Sequence, residues 1–206
     1  MPVLPRSIVW RRVDVAGIEQ ALLDDRSGLY ARGTAIVAEP VRYTCGYELL
    51  VDDGWVTGRL SVTTEGAGWL RSVKLERAAG RWRVTAGEQG DLDAALLAAG
   101  QARVGLPGIE DPDQLRDAID ADLGGSPLTN TPPVRRLGLL SARPGTSSTV
   151  PVAWVLVPSL EVVAAQQTYT ALGEGRVRFQ SGTFAAELTL DERGYVIDYP
   201  DLAERV

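Results

Sequence analysis

The 206-residue chain is 45% hydrophobic and 23% charged, an ordinary globular composition that argues against disorder, and its length suits one domain able to bury its own core. Its formal net charge of −6 offers no electrostatic footprint for nucleic acid or for an anionic membrane surface, so neither is expected as a partner. It has no histidine, the commonest general base and metal ligand, and its single cysteine, Cys45, can form no intrachain disulfide.

No cofactor is therefore expected. The start of the chain has two prolines and no apolar run of signal-peptide length, and nowhere do eighteen apolar residues run together. These features predict a cytoplasmic protein without a membrane span.

Strand signals dominate the chain. Tyr43, Cys45, Tyr47, Leu49 and Val51 alternate with Thr44, Gly46, Glu48 and Leu50, a period of two that ends at the turn Asp52-Asp53-Gly54 and resumes at Trp55-Val56. Trp69, Arg71, Val73 and Leu75 then face one way, and Ala78-Ala79-Gly80 turns the chain into Arg81–Thr85. The middle differs. Leu92 to Ala99 has helix-forming composition closed by Gly100, Asp111-Pro112 starts a second helical stretch reaching Ile119, and residues 92–119 read as a short helical insertion in a single domain spanning 1–206.

A third helix starts at Thr129-Asn130-Thr131-Pro132-Pro133, with Asn130 or Thr131 as its cap and Gly138 as its end. Beyond it, Thr149–Val157 is strongly apolar, with Pro151 marking an edge or a bulge. Leu160–Val163 continues it, and Arg176–Ser181 alternates again. Phe184–Leu190 then meets the turn Asp191–Gly194, and Tyr195–Tyr199 returns. The 48–56 and 187–196 segments share one plan of strand, charged turn, aromatic and β-branched residue; this reads as the grammar of hairpins, with a faint internal repeat as the alternative.

Few residues carry obvious chemistry. Asp111, Asp113, Asp117, Asp120 and Asp122 cluster, but their spacing matches no calcium loop and reads as solvated helix-end carboxylates. Arg135 and Arg136 offer guanidinium forks for a carboxylate or phosphate, or for a salt bridge to one of those aspartates. Cys45 reads as a small buried hydrophobe, and the five tryptophans and six tyrosines as core, though they also suit a ligand cavity.

The block Asp120–Leu139, with Ser126-Pro127-Leu128-Thr129-Asn130-Thr131 and Arg135-Arg136-Leu137 at its centre, resembles the signature of the bacterial "putative glycolipid-binding" family. Val9–Arg12 with Gly17–Glu19, the Tyr47–Trp55 hairpin, Trp154–Val162 with Gln167–Tyr169, and Phe184–Pro200 resemble that family's other segments, so the likeness covers nearly the whole chain. The chain departs from the pattern at Pro133, where leucine is expected, and in a longer stretch from about Ala94 to Asp117.

The resemblance implies a mainly β fold: a large antiparallel sheet rolled around a single helix, a half-barrel similar to bacterial lipoprotein and lipid carriers. It implies a lipid or other amphiphilic small molecule as partner. On that reading Asn130 with Arg135 or Arg136 meets the head group, Tyr47, Trp55 and Tyr169 supply walls, and Asp122 joins the site. Three functions stay open. A non-enzymatic amphiphile binder needs an internal apolar pocket. A structural or partner-binding protein would have a filled interior. A carboxylate-dependent hydrolase or isomerase, using Asp122 with Glu48, needs two carboxylates converging in a cleft.

Overall fold

The computed structural model describes residues 6–206. Seven strands open the chain: β1 (Arg6–Arg12), β2 (Gly17–Asp24), β3 (Leu29–Val37), β4 (Tyr43–Val51), β5 (Thr57–Gly66), β6 (Trp69–Ala78) and β7 (Arg81–Gly90). Helix α1 (Leu92–Ala98), a 3-10 turn at Pro112–Leu115, the short strand β8 (Asp120–Leu123), a second 3-10 turn at Pro127–Asn130 and helix α2 (Thr131–Arg136) follow. The chain ends with β9 (Ser147–Val155), β10 (Val162–Gly173), β11 (Arg176–Ser181), β12 (Phe184–Leu190), β13 (Val196–Tyr199) and β14 (Ala203–Arg205).

All fourteen strands belong to one open sheet, ordered β7-β6-β5-β4-β3-β2-β1-β14-β13-β12-β11-β10-β9-β8. Neighbours are antiparallel except β8 and β9, which run parallel. Twisted sheets of more than about ten strands do not stay flat. This one curls, and the β8–β9 end is tucked inside the roll. Strand β9 is consequently buried on both faces. Its Ala153 and Val155 join a core with Leu49, Leu60 and Val62, whereas Val150 and Val152 join a second core with Val134, Tyr169 and Phe179. Pro151, read as an edge or bulge residue, lies one residue ahead of the β8 ladder, whose first rung is Asp120 to Val152.

The roll closes through side chains rather than a backbone ladder. Thr64 on β5 donates to the Pro158 carbonyl at 2.9 Å, and Trp82 on β7 donates to the Ala118 carbonyl at 2.9 Å. Arg71 is buried on the β6 face that alternation assigned to Trp69, Val73 and Leu75. Its guanidinium donates to the carbonyls of Gly105 at 2.6 Å and Ser159 at 3.1 Å and pairs with Glu88. A buried cation is tolerated there because backbone oxygens and a carboxylate meet its two terminal nitrogens.

The two hairpins with similar sequences also share geometry. Asp52 N–H donates to the Val56 carbonyl and Trp55 N–H to the Asp52 carbonyl; Asp191 with Tyr195 and Gly194 with Asp191 repeat this pattern. A register shift precedes each turn, between Leu50 and Val51 and between Thr189 and Leu190. Trp55 occupies the position of Gly194, and both have positive φ, 61° and 83°. A bulky residue is strained in that region. The Arg135 guanidinium stacks on the Trp55 ring at 4.3 Å and Arg136 donates to its carbonyl at 2.9 Å, so α2 holds the strained turn in place.

Several expectations need correction. Strand β5 begins at Thr57 and not at Trp55-Val56, because Trp55 closes the turn. Residues 92–119 are mostly irregular: beyond α1 only Pro112–Leu115 is helical, since Asp111 caps one 3-10 turn and Leu115 and Ala118 then dive into the core. Neither Asn130 nor Thr131 caps α2 by its side chain, because the 3-10 turn from Pro127 already leads into the helix; the Thr131 hydroxyl instead donates to the Gly194 carbonyl at 3.1 Å. Of the five aspartates read as solvated, Asp120 is buried and Asp122 partly buried on β8, while Asp111, Asp113 and Asp117 are exposed. No helix among the described residues is long and apolar enough to cross a membrane.

Replacing Arg71 by methionine should lower the unfolding free energy by about 3 kcal/mol, because it strips charge-assisted donors from two carbonyls and a partner from Glu88. Urea denaturation of the two proteins measures this, and a loss under about 1 kcal/mol would mean that the seam is held by apolar packing alone.

Candidate functional site

The parallel strand β8 sets the site. Alternation along four residues sends Ala121 and Leu123 into the first core and aims Asp120 and Asp122 the other way. Asp120 is clasped by both terminal nitrogens of Arg136, at 2.6 and 2.5 Å. Asp122 accepts from the Thr129 hydroxyl and from Gln167 Nε2, each at 2.6 Å. Thr129 reaches back because Gly124-Gly125-Ser126 turns the chain sharply into the 3-10 turn; its oxygen also meets the Ser126 carbonyl at 3.1 Å. Gly125 has φ of +79°, a conformation suited to glycine, and the Arg12 guanidinium packs where its side chain would be.

Beside Asp122 lies a cavity of about 740 Å³. Its floor is polar: Asp122, Ser126, Asn130 and Gln167. Its walls are apolar, with Trp154, Val163, Ala165, Phe179, Tyr199 and Leu202. The exposed residues Gln166, Gly182, Thr183 and Phe184 border its mouth. Phe179, Phe184 and Tyr199 form an aromatic triangle with centroids 6.1–6.2 Å apart. Burial pushes the Asp122 carboxyl above the usual aspartate range, against the opposing hydrogen bonds of Thr129 and Gln167. Burial also raises Tyr199, with the charge of Asp122 adding to it.

A second carboxyl stands behind the Gly-Gly-Ser turn. Glu19 on β2 is only 1% exposed, and its Oε1 accepts from both Tyr47 Oη and Ser126 Oγ, each at 2.6 Å. Tyr47 lies flat across Gly33, its partner on β3; a side chain at Gly33 would come within 2.0 Å of the ring. Burial raises the Glu19 carboxyl, opposed by the Ser126 and Tyr47 hydrogen bonds and by Arg12. The neighbouring Cys45 thiol is pushed up to about 12, chiefly by burial, so it packs as a hydrophobe. Ser126 lines both the large cavity and the small one at Glu19.

The residues singled out from sequence separate into three places. Asp122 and Asn130 line the large cavity, and Tyr169 stands directly behind it, with its hydroxyl 3.2 Å from Asn130 Oδ1 and 3.1 Å from Gln167 Oε1. Trp55, Arg135 and Arg136 form the clamp at the end of α2; Arg135 also donates to the Arg193 carbonyl at 2.8 Å. Tyr47 belongs to the Glu19 group. Glu48 does not join Asp122, because it points away from the core on β4 and is bound by Arg59 at 2.5 Å and Tyr30 at 3.0 Å. Glu19, Gln167 and Phe179 had no role assigned from sequence, and Trp154 and Tyr199 stood only among the aromatics that also suit a ligand cavity. For Glu19 the available signal was a lone acid alternating in phase with Ala21 and Leu23.

Fold and cavity together define a β-roll with an open pocket between the turn that follows β8 and strands β10, β11 and β13. The chain belongs to the family described as "Putative glycolipid-binding", whose pattern matches residues 7–205. Among solved structures it is similar to a DUF1089 family protein from Pseudomonas aeruginosa, at 25% identity and a TM-score of 0.67, covering 91% of this chain and 92% of that one. No curated protein matches it.

Glu19→Gln keeps an acceptor for Tyr47 and Ser126 and should leave stability near wild type, whereas Glu19→Ala strands two buried donors and should cost about 2–4 kcal/mol. Because the folded carboxyl holds its proton more tightly than the unfolded one, its contribution is fully present below its ordinary 4.5 and is lost as pH rises through the raised value. The stability of wild type relative to Glu19→Gln should therefore fall from pH 5 to pH 8, read from urea midpoints; a rise would contradict the assignment.

Proposed function

We propose that this protein binds one amphiphilic, lipid-like molecule in the cavity beside Asp122 and does not transform it. The cavity itself carries the reading: about 740 Å³ lies within the size range of small-molecule sites, with apolar walls and a few converging polar groups. A roll filled by its own helix would leave no such space, which disfavours the reading as a purely structural or partner-binding protein. The family's description supports the same ligand class.

Binding without turnover is supported by the surroundings of Ser126, a cavity-lining hydroxyl that pairs with a carboxyl. Ser126 donates to Glu19, but the next residue, Pro127, has no N–H to stabilise an oxyanion. We place this role in the cytoplasm, where the single cysteine stays a thiol.

Native mass spectra of the purified protein, followed by solvent extraction, test the reading. A reproducible adduct of lipid size is expected, and Ala165→Trp, which fills the cavity from its wall, should abolish it while circular dichroism shows an unchanged sheet. A clean apo mass together with no uptake of the nonionic probe N-phenyl-1-naphthylamine would overturn the proposal.

A further inference from the structure

The hydrogen bonds of the cavity floor are unevenly filled. Tyr169 has one hydroxyl proton but faces two carbonyl oxygens, Asn130 Oδ1 at 3.2 Å and Gln167 Oε1 at 3.1 Å. It can serve only one at a time. Both amides are fixed in orientation: Gln167 Nε2 donates to Asp122 Oδ2 at 2.6 Å, and Asn130 Nδ2 points to the Pro127 carbonyl at 3.4 Å. Asn130 and Gln167 are 4% and 2% exposed, so water has little access to whichever oxygen is left over. Each Asp122 oxygen also accepts only one hydrogen bond from the protein, although a carboxylate offers about four sites in all. The floor thus leaves acceptor sites unfilled.

Its charge points the same way. Among the described residues, none lining the cavity is a lysine or arginine. The Arg12 guanidinium packs against Gly125 on the far side of the turn and is held by Asp14. Arg136 is committed to Asp120. An anionic head group would meet Asp122 in an apolar cavity without a counter-charge, an arrangement that costs far more than burying a hydroxyl.

Resting on the amphiphile-binding reading, we infer that the cavity selects a head group that donates hydrogen bonds and carries no negative charge, and discriminates against fatty-acid anions and phosphate-bearing lipids. The head group docks inward, on Asp122, Asn130 and Gln167, and the chain runs along the aromatic wall toward Phe184. Proton donors from the ligand fill the lone pairs that Thr129 and Gln167 leave open on Asp122.

Competition at pH 7.5 between bound N-phenyl-1-naphthylamine and two ligands of equal chain length, monodecanoylglycerol and decanoate, tests this. Monodecanoylglycerol should displace the probe at least about tenfold more tightly than decanoate, a difference of about 1.4 kcal/mol. Asp122→Asn removes the charge while keeping the shape, and should bring that ratio down to about threefold or less, chiefly by improving decanoate. Equal or tighter binding of decanoate to the wild-type protein would overturn the selection while leaving the amphiphile reading intact. Failure of the probe and of both ligands to bind would remove both. The wild-type ratio decides the matter even if the variant does not fold.

Discussion

A twisted antiparallel sheet of fourteen strands encloses a concave surface that must be covered by something. In this protein the covering is the far edge of the same sheet. Strands β8 and β9 curl into the roll, so that Ala153 and Val155 pack on the amino-terminal half while Val150 and Val152 pack on the carboxy-terminal half. Each fully buried leucine on these faces contributes about 1.5–3 kcal/mol relative to an exposed one. Leu49, Leu60, Leu75 and Leu188 are all fully buried, so the burial of one inner edge ties both halves together.

That arrangement forces polar chemistry indoors. An inner strand of four residues still alternates, and its second face carries Asp120 and Asp122. Buried carboxyls persist only where hydrogen bonds or counter-charges meet them. Arg136 meets Asp120, Thr129 and Gln167 meet Asp122, and the Gly-Gly-Ser turn between β8 and α2 brings Ser126 onto Glu19. The family-like block from Asp120 to Leu139 thereby serves as the internal wiring of the roll. Arg135 and Arg136 stabilise the strained Trp55 turn from the same helix.

Strand periodicity was legible in three strands that turn one face to solvent. The alternation at Tyr43–Val51, Trp69–Leu75 and Arg176–Ser181 recurs in β4, β6 and β11. It did not draw attention to β1–β3, where Arg6, Arg12 and Glu19 interrupt the apolar rhythm and Glu19 faces inward. The likeness of the two charged turns was visible, and its cause is a shared turn with a positive-φ residue rather than anything specific to function. The site was half legible. Asp122, Asn130 and Tyr169 lie together because the recognisable block packs against β10, two strands from β8 across β9. Arg135, Arg136 and Trp55 looked like a binding group but hold one another, because a guanidinium attractive to a ligand head group is equally attractive to Asp120, to a carbonyl or to an indole ring. The aromatic walls could not be assigned, since Phe179, Phe184 and Tyr199 come from three strands whose meeting depends on the curl of the sheet.

The cavity exists because small residues stand where the inner edge turns away from the outer wall. Ala164, Ala165 and Gly182 line it in places where larger side chains would close the gap. Well-packed interiors rarely leave such a volume empty, and an apolar wall left facing water is unfavourable. Only one turn away the roll packs tightly: the space at Glu19 admits almost nothing. The contrast places open volume on one side of a shared Gly-Gly-Ser turn and a closed hydrogen-bonded carboxyl on the other. The two sides of that turn differ because Glu19 is met by Tyr47 and Ser126, whereas the cavity face of Asp122 is bordered by side chains too short to reach it.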